Sequence, residues 1–218
     1  MCIISFYKYD NQIILTHNRD ENISRIASST VEERIWNKKT FFSPVDKEKN
    51  GTWIFYNEQY IACILNGGKE KPKEIKFNYR ISRGIILLNL MNYHSVEDFI
   101  SLENLSDAAP FTIFVFERVS KKTLLLFWDG YKLDVNDLTD SNFIFRASST
   151  LYSFEKMHEL EKKITKFSKP SAETIFTQHQ AVAMKAGDVE QDKATTSITQ
   201  IIADSSSIYM KYCPFQSI

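Results

Sequence analysis

Glycine is scarce in this chain of 218 residues, with six in all, and none of them builds a glycine-rich phosphate loop, so nucleotide-binding folds are disfavoured. Excess charge of either sign is missing as well. Lys+Arg and Asp+Glu both total 27, and so balanced a chain has no net field to attract nucleic acid or a membrane surface. No apolar run approaches the eighteen or so residues of a membrane-spanning helix. The start of the chain lacks a basic segment followed by an apolar one, so no signal peptide is expected and the cytosol is the expected address. Cysteine is limited to Cys2, Cys63 and Cys213, an odd number without metal-type spacing, which argues against a disulfide framework. His17, His94, His158 and His179 are scattered, so neither a metal site nor a cofactor is implied.

What is present is ordinary for a globular protein, at 43% hydrophobic and 25% charged. Ten tyrosines and sixteen phenylalanines suit the core of a β-rich fold. With no repeat, low-complexity tract or linker, a single domain over residues 1–218 is expected.

The opening stretch is the most informative. Residues 3–7 and 12–17 are β-rich runs joined by the turn formers Asp10-Asn11, which predicts a hairpin. A turn centred near residue 10 pairs Cys2 with Asn18, to within two residues of register, and brings Arg19 and Asp20 beside the cysteine. Removal of Met1 would make Cys2 the first residue. It would then carry a thiol and an α-amine that titrates near pH 8, close enough to neutrality to take the thiol proton. A guanidinium next to a thiol favours the thiolate, and a carboxylate next to the amine would orient it.

Further along, residues 22–49 read as a long loop with short pieces of structure. Asn50-Gly51 and Asn57-Glu58 are turns that flank strands over 52–56 and 60–65, ending at Asn66-Gly67-Gly68. Residues 69–76 read as an exposed, mobile loop. The helical period over 79–92 predicts a helix, and Ser95 caps a second one running to residue 102. Strands follow over 110–117, 122–128 and 142–146, then helices over 153–167 and 172–180, and a closing hairpin over 197–203 and 207–212. Antiparallel pairs at both ends with helices between them indicate an α+β fold rather than a parallel sheet. Cys63 and Cys213 read as core thiols, and His17 reads as a strand-surface residue or a ligand contact. Arg83 could neutralise an acidic ligand or form a structural ion pair.

Five landmarks in order carry a family resemblance: Met1-Cys2-Ile3-Ile4, Asn18-Arg19-Asp20-Glu21, Asn50-Gly51-Thr52-Trp53-Ile54, Leu65-Asn66 and Ser82-Arg83-Gly84. Together they resemble the NRDE family, also called the transport-and-Golgi-organisation protein 2 family, within the N-terminal nucleophile hydrolase superfamily. The resemblance implies a four-layer αββα sandwich of two stacked antiparallel sheets, related to penicillin V acylases and conjugated bile acid hydrolases. It implies Cys2 as nucleophile, Arg19 and Asp20 as its positioning groups, and Asn66 as the oxyanion donor. Asn18, Ser149 and Lys193 would contact substrate. Relatives place an asparagine where Ser149 stands and an arginine where Ala194 stands, with Lys193 one residue earlier. The activity implied is hydrolysis of a small non-peptide amide. The alternative is a non-catalytic cytosolic binder of an apolar ligand, haem or lipid-like, on the same fold.

Overall fold

The computed structural model describes residues 2–72, 79–165, 171–188 and 192–215. The chain forms two compact units, Met1–Arg25 with Asp140–Ile218, and Ile26–Thr139. Each is built on one antiparallel sheet.

The first unit holds a five-stranded sheet. Its central hairpin is β1 (Cys2–Tyr9) and β2 (Gln12–Asn22), turned at Asp10, whose φ of 49° is the left-handed conformation that such a turn requires. The unit's remaining strands come only after residue 139 in sequence, because the second unit, Ile26–Thr139, is inserted after Arg25. To complete the five-stranded sheet, β10 (Phe143–Ala147) pairs with β1, β11 (Lys193–Ala203) pairs with β2, and β12 (Ile208–Pro214) pairs with β11. Strands β3 to β9 belong to the second unit.

Two helices cover one face of this sheet, α3 (Phe154–Ile164) and α4 (Ala172–Ala181). Each starts at a serine whose side chain accepts a backbone N–H, Ser153 from Lys156 and Ser171 from Thr174. Leu160 and Ile164 of α3 pack on Ile3 and Ala147, and Ile175 of α4 packs on Tyr7, Ile14 and Ile202. Residues 3, 5 and 7 of β1 and 14, 16 and 18 of β2 therefore face the helices, and Cys2, Ile4, Phe6, Leu15, His17 and Arg19 face the other way. The expected extension of α3 to residue 167 reaches residues outside those described.

The second unit is a seven-stranded meander: β3 (Glu32–Trp36), β4 (Lys39–Ser43), β5 (Ile54–Tyr56), β6 (Tyr60–Asn66), β7 (Phe111–Glu117), β8 (Thr123–Trp128) and β9 (Leu133–Asp137). Between β6 and β7 lie α1 (Arg83–Asn89), a 3-10 turn over Leu90–Asn92, and α2 (Val96–Leu102), capped by Ser95 as expected. Three differences from the sequence reading have physical causes. The 22–49 stretch contains the β3–β4 hairpin, whose turn residues Asn37 and Lys38 both have positive φ, at 46° and 63°. That hairpin and β9 lie towards the sheet edges, where exposed charges such as Glu32, Glu33 and Asp137 replace the apolar alternation that marks an inner strand. The helix expected from residue 79 begins at 83, because Ser82 caps it and Ile81 instead bridges to Ala108. Residues 73–78 of the charged 69–76 loop lie outside those described. Among the described residues no helix is long and apolar enough to cross a membrane.

Two sequence landmarks meet inside the second unit. A Cβ on Gly84 would lie 2.7 Å from the Thr52 carbonyl oxygen, and one on Gly51 would lie 2.9 Å from the Gly84 carbonyl carbon. The Asn50-Gly51-Thr52 and Ser82-Arg83-Gly84 motifs are thus two sides of one backbone contact that admits only glycine. Gly84→Ala is expected to destabilise the protein by about 2 kcal/mol through overpacking and to lower Tm by roughly 5 °C, read by thermal denaturation.

Candidate functional site

In the β1–β2 hairpin Cys2 pairs directly with Arg19, and Ile3 pairs with Asn18. This is one residue from the Cys2–Asn18 pairing and within its tolerance. Because side chains alternate, that single step decides which neighbour shares the cysteine's face. Arg19 shares it. Asn18 points to the helices.

On the helix side Asn18 belongs to a sealed network. Its amide nitrogen donates to the His179 carbonyl at 2.9 Å, which leaves its oxygen to accept from His179 Nδ1 at 2.7 Å. Nε2 then carries no proton and accepts from the Ser5 hydroxyl at 2.7 Å. The connectivity is that of a serine–histidine–asparagine triad, but all three residues are fully buried. Burial lowers the His179 pKa to about 3, so the ring is neutral and serves to pin α4 to the hairpin.

Asp20 is also buried, and two hydroxyls hold it: Thr195 donates to Oδ1 at 2.6 Å and Tyr152 donates to Oδ2 at 2.8 Å. A register shift in β11 between Thr195 and Ser197 makes this possible. Thr195 sits opposite Asp20, while the bulged Thr196 turns to Arg19, accepting from Nη1 at 3.0 Å and donating to the Arg19 carbonyl at 3.1 Å. Arg19 Nη1 also donates to the Arg25 carbonyl at 3.3 Å. Adjacent threonines thus support the two charged residues of the motif separately. Tyr152 arrives from the turn after β10, where the Ser148 N–H donates to the Cys2 carbonyl at 2.9 Å and the Tyr152 N–H donates to the Ser148 carbonyl at 3.0 Å. Burial pushes the Asp20 carboxyl up to about 6, and the Thr195 and Tyr152 hydroxyls pull against it.

Cys2 itself is only 3% exposed. Burial pushes its thiol up to about 11, the N-terminal ammonium opposes the rise, the Asp20 and Glu21 carboxylates add to it, and Arg19 opposes it. The expected guanidinium effect is therefore real in sign and outweighed by desolvation. His17 is completely buried, not on the strand surface.

The remaining sequence candidates lie elsewhere. Ser149 is buried in the turn after β10, and Lys193 begins β11 opposite Asn22. Asn66 ends β6 of the second unit, opposite Phe111, and Arg83 opens α1 there. Cys63 is fully buried core, Cys213 is half-buried in β12, and no cysteine forms a disulfide. Among the described residues no group of histidine, cysteine and acidic side chains could hold a metal. Tyr152, Thr195, Thr196 and His179 were not singled out as site residues from the sequence. The Thr195-Thr196-Ser197 run that follows Lys193 and Ala194 is their one visible trace in the sequence.

Comparison with solved structures shows the class of fold. The chain is similar to a variant of conjugated bile acid hydrolase from Clostridium perfringens, with a TM-score of 0.56, 11% identity, and coverage of 98% of this chain and 92% of that one. At that identity the likeness shows the fold alone, which is the α+β, N-terminal nucleophile hydrolase-like class that the sequence resemblance implied. Among curated proteins none matches the chain in sequence. The sequence profile described as Transport and Golgi organisation 2 matches residues 1–216, and the chain belongs to that family.

The two buried titrating groups oppose one another with pH. His179, at about 3 when folded, is protonated first in the unfolded chain, so its contribution is lost as pH falls from about 6.5 towards 3. Asp20, at about 6 when folded, keeps its proton longer than in the unfolded chain, so its contribution is present below about 4 and lost as pH rises through 6. Between those limits the slopes cancel in the wild type. Asp20→Asn is expected to leave a stability that falls on acidification by up to about 1.4 kcal/mol per pH unit, and His179→Gln one that rises relative to the wild type. Urea denaturation across about pH 4 to 7 reads both signs.

Proposed function

We propose that this protein is an N-terminal-cysteine amidohydrolase acting on a small non-peptide amide with an apolar acyl group. The observation that carries the reading is the direct pairing of Cys2 with Arg19, next to an Asp20 held by two hydroxyl donors. In the form that acts, Met1 has been removed.

A thiol at about 11 is almost wholly protonated near neutrality, so attack depends on a local base rather than on a standing thiolate. The α-amine of Cys2 fills that role. It takes the thiol proton as sulfur bonds to the substrate carbonyl carbon. The resulting ammonium gives its proton to the leaving nitrogen as the C–N bond breaks, leaving a thioester on Cys2. Water then attacks the thioester, the amine accepts its proton, and the C–S bond breaks to release a carboxylic acid and restore the thiol. The balance is amide plus water to acid plus amine. Arg19 stabilises negative charge at sulfur, and Asp20 orients the ammonium. A cytoplasmic setting, where thiols stay reduced, is consistent with three cysteines outside any disulfide.

One observation favours a second reading, in which the protein binds an apolar ligand and Cys2 is only a contact: the thiol is buried and protonated. Intact-mass analysis separates the two. The hydrolase reading expects loss of one methionine, single-site alkylation of Cys2 near neutral pH, and turnover of some member of a panel of acyl amides that Cys2→Ala abolishes. A retained methionine together with saturable binding of an apolar ligand and no thioester on Cys2 would sink it.

A further inference from the structure

The backbone of residues 148–152 ties Asp20 to the nucleophile strand at both ends. Its first residue, Ser148, donates to the Cys2 carbonyl, and its last, Tyr152, donates its hydroxyl to Asp20. The tyrosine ring packs among Ile3, Ala147, Leu160 and Ile164, which fixes where that hydroxyl can lie. On the opposite strand Thr195 is fixed too, because its oxygen accepts the Met184 N–H at 2.7 Å while its proton goes to Asp20. Because Thr196 is bulged out, Thr195 stands opposite Asp20, where the register of Ser197↔Arg19 carried on without a bulge would set it opposite Glu21. Each carboxylate oxygen therefore receives one short hydrogen bond from a donor with little freedom to turn elsewhere.

We infer that Tyr152 and Thr195 are positioning residues, which aim the Asp20 carboxylate at the amine of Cys2 and keep it ionised where that amine needs a counter-charge. This rests on the amidohydrolase reading. Neither residue touches substrate; both act through Asp20. Charged and titratable groups around Asp20 are the N-terminal ammonium, Cys2 from β1, Arg19 and Glu21 from its own strand, and Tyr152 from the turn, with Asp188 acting on Tyr152 from the loop before β11. Burial and, less strongly, Glu21 favour the neutral acid, and the two hydroxyls and the N-terminal ammonium favour the carboxylate. Removing a donor should therefore raise the Asp20 pKa.

The test uses the full, methionine-processed chain labelled with 13C at aspartate carboxyl groups. Tyr152→Phe keeps the ring and removes one donor. Its Asp20 titration is expected to move up by about one pH unit, and the acid limb of Cys2 alkylation by iodoacetamide should move with it. Thr195→Val should shift both in the same direction, and Thr195→Ser should restore them, which a packing role alone would not do. An Asp20 titration unchanged in both Tyr152→Phe and Thr195→Val would overturn the inference. A Cys2 inert in wild type and variants alike, with the titration still shifted, would defeat the hydrolase reading and leave the positioning of Asp20 standing.

Discussion

The pairing of Cys2 with Arg19 across the first hairpin is the constraint on which this site depends. A strand alternates its side chains, so a slip of one residue would exchange every neighbour of the cysteine. Cys2 would then share a face with Asn18, and Arg19 would meet the helices. Packing on both faces opposes this: Ile3, Tyr7 and Ile14 are fitted against α3 and α4 while Ile4, Phe6 and Leu15 are buried on the other face, and a slip would exchange two sets of different shape. The chemistry is held in register by hydrocarbon on the opposite face of the same strands.

Such a register brings polar groups into the interior, and each must be satisfied. Asn18, Ser5 and His179 close on one another, and all three are buried. Asp20 is costlier, since a buried carboxylate loses several kcal/mol of hydration unless donors replace it. Tyr152 and Thr195 supply them, and the β11 bulge lets Thr196 serve Arg19 at the same time. One extra residue in a strand thus separates the supports of two adjacent, oppositely charged side chains. The unsupported residue is Cys2. Its burial leaves a neutral thiol, and that is why its own amine carries so much of the proposed mechanism.

Much of the architecture was legible. The hairpins at 2–22, 54–66 and 111–128, the serine cap of α2, and the antiparallel pairing all follow from local pattern. The edge strands β3 and β9 were not, because solvent-facing charges interrupt the alternation that identifies a strand. The glycines at 51 and 84 were visible as landmarks without a reason. Their reason is mutual contact across more than thirty residues of sequence, which no local pattern records.

By itself, the sequence determined that a cysteine, an arginine and an aspartate would gather at the start of the chain. A two-residue turn between two adjoining β-rich runs leaves few other registers, and that is local information. Tertiary structure alone decided which of Asn18 and Arg19 the cysteine meets, that Asn18 is claimed by His179, and that Asp20 is clamped by Tyr152 and Thr195. Those partners lie 132 to 175 residues away in sequence, and only close packing of β10, β11 and α4 around the hairpin brings them within reach.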